Sequence, residues 1–112
     1  MGVIKDRFKA KADIIKAEIK EILKEHGQKK IWEVTLSQVY QGMRGITGLV
    51  TETSLLDAQE GIRFRGYTIP ELQQKLPKAP GGSEPLPEGL FYLMLVGDLP
   101  SDEDAQHISA VW

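Results

Sequence analysis

A lone arginine set between glycines, in Gly42-Met43-Arg44-Gly45, is the residue best placed to do chemistry in this sequence. Glycine lets a backbone turn tightly or approach a ligand closely. A guanidinium fixed in such a loop, beside open backbone N–H groups, suits a phosphate. Simple exposure to solvent is the commoner state of a loop arginine. Gly42, Gly45 and Gly48 recur every third residue. That is not the dinucleotide-binding fingerprint, which needs a preceding strand, a different spacing and a helix directly after it.

The other reactive side chains point to structure. His26 sits before Gly27, where a helix end favours a cation, and His107 lies among acids without a second ligand one turn away. Glu52, Asp57 and Glu60 could be imagined as an acid–base pair, but turn formation and solvation account for them. The serines occupy no nucleophile motif, and no phosphate-binding P-loop is present. Arg63 and Arg65 alternate with Ile62 and Phe64, so a strand would send both guanidinium groups to one face.

These residues need elements to hold them. Ile4, Phe8, Ala12, Ile15, Ile19 and Leu23 recur at helical steps, predicting a long amphipathic helix from Val3 to His26 that Gly27 stops in a left-handed conformation. Its apolar stripe has little local partner, so it is expected to pack on another chain or on segments beyond this one. Ile31-Trp32-Glu33-Val34 reads as a brief strand, and Thr35 as the N-cap of a short helix. Residues 49–56 and 62–65, joined by the turn at 57–61, form a β-hairpin. Thr68 and Glu71 form a capping box around Pro70, opening a helix that Pro77 ends. Residues 77–87 are a Pro/Gly loop, followed by a helix that is apolar all round and should be buried, stopped by Gly97. Ser101 and three acids begin a last helix that carries Ala105, Ile108, Val111 and Trp112. Two large apolar residues at the terminus suggest a chain cut inside a larger, mostly helical protein.

Composition narrows the partners. The formal charge of −2 divides into nine Lys/Arg against five acids in residues 1–30, a balance of +4, and −6 for the rest. The lysines interleave with acids as on a solvated helix face, which argues against nucleic acid and membrane as partners. No apolar run approaches the length of a membrane span. Cysteine is absent, which excludes disulfides and thiolate metal sites. The start is neither Arg-rich nor poor in acids, unlike an organelle presequence.

Gly42-Met43-Arg44-Gly45, the run Glu60-Gly61-Ile62-Arg63-Phe64-Arg65-Gly66 and Leu86-Pro87-Glu88-Gly89-Leu90-Phe91 occur in one collinear order. Together they resemble the N-terminal part of mitochondrial-type citrate synthases, closely from Val39 to Trp112 and loosely before that. The resemblance implies the start of the family's mainly α large domain, with a small antiparallel β-hairpin. It implies condensation of acetyl-CoA with oxaloacetate to citrate, without a metal or other cofactor, by a homodimer in the mitochondrial matrix. An aspartate and two histidines perform that reaction in the family, and they lie beyond this chain. Arg44 alone matches a family ligand contact, the loop arginine that binds a phosphate of CoA. A 2-methylcitrate synthase, or a non-catalytic module acting through the first helix, are the alternatives.

Overall fold

The computed structural model describes residues 2–112. Its elements run α1 (Gly2–His26), α2 (Leu36–Tyr40), β1 (Ser54–Asp57), β2 (Gly61–Phe64), β3 (Tyr67–Thr68), α3 (Ile69–Lys75), α4 (Pro87–Val96) and α5 (Asp102–Ser109). The chain is thus mainly α with one small antiparallel sheet. Two compact units share it: Ile14–Val50, and Met1–Asp13 together with Thr51–Trp112.

In the larger unit α4 carries the core. Leu93, fully buried, packs with Leu72 and Leu76 of the α3 segment, and Phe64, Tyr67, Leu90 and Leu99 close around them. Tyr92 and Val96 form a second cluster with Ile4 and Ile108. Phe91 and Leu95 remain more than a third exposed, so α4 is not buried all round as its composition suggested. Gly97 ends the helix at φ 94°, the left-handed conformation expected of it, with its N–H on the Leu93 carbonyl.

Local chemistry sets the helix starts. Thr68 and Ser101 each accept from the backbone N–H three residues on, while Glu71 and Asp104 reach back to the cap N–H. Thr35 and Gln38 repeat the arrangement in the smaller unit. The loop after α3 is tied at its neck: the Leu86 N–H donates to the Pro77 carbonyl at 2.8 Å, and Lys78 bridges to Pro85.

The sheet is a three-stranded meander, order β1-β2-β3, where a two-stranded hairpin was expected. Arg65 lies in a two-residue turn with Gly66, both at positive φ (49° and 86°), as a type I′ turn demands. The turn adds β3 and takes Arg65 out of the strand, so the two arginines do not share a strand face.

Three further expectations are corrected. Residues 31–34 form no strand: Ile31 is 83% exposed and no neighbouring strand offers hydrogen bonds. Gly27 follows α1 without a positive φ; its missing side chain matters because a Cβ would meet the Leu23 carbonyl oxygen at 2.3 Å. Helix α5 stops at Ser109, and Val111 and Trp112 lie beyond it, with Trp112 edge-on to Phe91 at 5.3 Å.

Polar ties hold the first turns of α1 to the α4–α5 region. Arg7 donates to the Tyr92 hydroxyl at 2.7 Å and pairs with Asp104, and Lys11 Nζ meets Asp98 at 2.8 Å. The Tyr92 hydroxyl, then Asp104, raise the Arg7 pKa further. For Asp104, desolvation pushes upward but is outweighed by the Ser101 N–H and Arg7, which hold the carboxyl below its usual range. Glu71 is lowered by the Thr68 N–H and then its hydroxyl.

Two outcomes follow. Leu93→Ala should cost about 2–5 kcal/mol in urea unfolding, because the site is fully enclosed. Carboxylates with lowered folded pKa values stabilise fully above their unfolded values, about 4, and lose that contribution as pH falls through the folded ones. Thermal melts of this chain should therefore be flat above about pH 5 and fall in acid. Glu71→Gln, which keeps the capping box, should make that fall shallower.

Candidate functional site

Helix α2 delivers the chain to the glycine loop. After Tyr40 the Gly42 N–H closes on the Val39 carbonyl at 3.1 Å, and Gly42 and Met43 both take left-handed backbone conformations, φ 71° and 62°. The Ile46 N–H then donates to the Met43 carbonyl at 3.1 Å, placing Arg44 and Gly45 at the corners of a tight turn. Gly45, at φ 72°, occupies the corner where a type II turn requires a positive φ. This explains the glycine spacing around Arg44 without any helix after the loop.

Arg44 is exposed at the tip of that turn. Among the described residues no carboxylate, carbonyl or ring meets its guanidinium, and the N–H groups of Met43, Arg44 and Gly45 find no internal acceptor. The loop thus presents a cation and three backbone donors to whatever adjoins it. Such a set can bind an anion; it contains no nucleophile and no acid–base pair.

The other two arginines behave differently. Arg63 is committed to Glu60 through Nε (3.2 Å) and Nη2 (2.9 Å), and to the Gly66 carbonyl through Nη1 (3.1 Å). Arg65 forks onto the Met94 carbonyl through Nε (3.2 Å) and Nη2 (2.8 Å), a cation placed at the C-terminal end of α4 where the helix dipole favours it. Both are structural, as their placement near the sheet suggested.

The acids dissolve as a catalytic cluster. Asp57 Oδ1 accepts from the Glu60 and Gln59 N–H groups, which hold its carboxyl below the usual range, and Glu60 serves Arg63. His26 stands exposed 3.8 Å from Glu25, while His107 lies on α5. No group of three or more His, Cys, Asp or Glu among the described residues could hold a metal ion. No described helix is long and apolar enough to cross a membrane.

Sequence reading missed the Arg7, Tyr92 and Asp104 cluster. A signal was present: Arg7 follows Ile4 by one helical turn, so it flanks the buried end of the stripe, and Asp104 is the acid of a capping box with one oxygen to spare.

No family model matches the chain. Curated relatives do. The chain is 54% identical over 109 residues to the mitochondrial citrate synthase of Aspergillus niger, and 57% identical over 109 residues to that of Neurospora crassa. The chain belongs to the citrate synthase family. Each alignment covers 97% of this chain, which spans only 23% of the length of those relatives. A family member named as a mitochondrial 2-methylcitrate synthase, from Yarrowia lipolytica, is 55% identical over 109 residues. Mitochondrial names recur across these family members, in agreement with the location expected for this chain.

The two loop arginines should separate experimentally. Arg65→Ala should destabilise by about 1–3 kcal/mol, having lost charged hydrogen bonds to a partly buried carbonyl. Arg44→Ala, with no internal contact to lose, should change stability by less than about 0.5 kcal/mol in the same urea titration.

Proposed function

We propose that this chain is the opening part of the large domain of a citrate synthase, an acyltransferase that condenses acetyl-CoA with oxaloacetate and water to give citrate and CoA. The identity of 54–57% along nearly the whole chain to enzymes of that name carries the reading. The family resemblance assigns proton removal from the acetyl methyl to an aspartate, and carbonyl polarisation to two histidines. Those groups belong to sequence beyond Trp112, so the 112 residues alone are inactive. The working enzyme is a homodimer, needs no metal, and has its substrates as small-molecule partners.

Within that enzyme Arg44 contacts a phosphate of CoA. Its support is the free guanidinium on a tight turn with unpaired N–H groups beside it. CoA is a polyanion, and a cation already positioned gains more in a partly enclosed site than on open surface. Turn geometry also removes much of the loop's freedom before binding, so less order has to be imposed when the ligand arrives.

The relative named 2-methylcitrate synthase favours a second reading, in which propionyl-CoA is the acyl donor. The two differ in acyl pocket and not in phosphate contact, so Arg44 serves equally in both. Comparing kcat/KM for acetyl-CoA and propionyl-CoA on the full-length protein separates them.

In that full-length protein, Arg44→Ala should weaken CoA binding by about tenfold at low salt, as expected for one charge-assisted contact of about 1.5 kcal/mol. The difference should shrink as salt rises. Unchanged affinity at low salt would remove Arg44 from the site. Turnover by the purified 112-residue chain would contradict its assignment as a non-catalytic part.

A further inference from the structure

The carboxamide of Gln38 is used inside the chain at one atom only. Its Oε1 closes the capping box of α2, accepting from the Thr35 N–H at 3.0 Å and from the Thr35 hydroxyl at 3.2 Å. A backbone N–H can only donate, so the oxygen is fixed on the cap and Nε2 is turned the other way. Among the described residues the two hydrogens of Nε2 find no acceptor.

That nitrogen lies beside the glycine loop. A Cβ added to Gly45 would meet Gln38 Nε2 at 3.9 Å and nothing else within 4 Å. Gln38 is also half-buried where every other residue of α2 is exposed. The neighbouring Gln41 is different, because its Nε2 is spent on the Ser37 hydroxyl at 3.1 Å. The Gln38 donor thus borders the same loop as the Arg44 guanidinium and the N–H groups of Met43, Arg44 and Gly45.

The residue type is selective. Three capping boxes stand among the described residues, and those of α3 and α5 close with an acid, Glu71 and Asp104. Beside Arg44 the same position holds a neutral amide. A glutamate would cap α2 equally well. It would also set a negative charge against the loop and offer Arg44 an internal partner. The amide caps the helix, leaves the guanidinium free and adds a donor, the combination an anion needs.

We propose that Gln38 is a second contact of the CoA phosphate held by Arg44, donating from Nε2 while its Oε1 stays on the α2 cap. This rests on the reading of Arg44 as a phosphate contact. The cap fixes the Gln38 side chain before the ligand arrives, so little further order is lost on binding.

Gln38→Glu in the full-length protein keeps the cap, so its thermal melt should match that of the parent. Its affinity for CoA at low salt should fall about tenfold or more, through a lost donor and a repelled phosphate. The difference should shrink as salt rises. Added to Arg44→Ala, the same substitution should still weaken binding by about threefold or more, since Gln38 meets the phosphate directly. Unchanged affinity of Gln38→Glu, beside a clear loss in Arg44→Ala, would overturn the Gln38 contact and leave the Arg44 reading in place. An effect of Gln38→Glu that vanishes once Arg44 is gone would show a carboxylate that only captures the arginine, and defeats the contact too. If neither substitution alters affinity, the Arg44 reading itself fails and the Gln38 contact with it.

Discussion

Helix α4 has two adjoining faces to bury and uses both. Leu93 turns toward Leu72 and Leu76, while Tyr92 and Val96 turn toward Ile4 and Ile108. That division places α3, α5, the start of α1 and strands β2 and β3, while β1 is held through its pairing with β2. The sheet contributes Phe64 and Tyr67 to the first cluster, and the start of α1 and α5 supply the second. Gly89 permits the approach: a Cβ there would lie 3.2 Å from Pro77 Cδ and 3.4 Å from Leu76 Cδ2. The apolar density of α4 thus reflects two small cores sharing one wall.

Cations in this chain meet three fates, decided by what lies within reach. Arg65 finds the carbonyl end of α4, Arg7 finds a buried tyrosine and a capping aspartate, and Arg44 finds no partner among the described residues. The first two add stability by satisfying groups that burial would otherwise leave short of partners. The third adds none, and that is what suits it to an external anion. What sets Arg44 apart from the other two is the lack of an internal task among the described residues.

Helix starts were legible in the sequence because capping is a local code: Thr35, Thr68 and Ser101 each sit three residues before an amide or acid that reaches back. Gly97 was legible for the same reason. Strands were less so. Ile31 and Val34 are β-prone but have no neighbour to pair with, and propensity cannot supply one. Arg65 looked like a strand residue by alternation, yet Gly66 beside it allowed a two-residue turn that overrides the pattern. The Arg44 turn was readable from its glycines, whereas the Arg7 cluster joins residues 85 and 97 positions apart. Local pattern marks each end of such a pair, the helical step from Ile4 and the capping aspartate, but not that the two ends meet.

The loop between α3 and α4 is closed at its neck by the Leu86–Pro77 hydrogen bond and the Lys78–Pro85 bridge, with Gly81 at φ 75° near its tip. Because its ends are held by the fold, lengthening the tip adds only the slow logarithmic cost of a larger ring, about 0.6 kcal/mol per doubling. The segment can therefore accept added residues, a fluorophore or an epitope without disturbing either core. It is a natural port for labelling this chain.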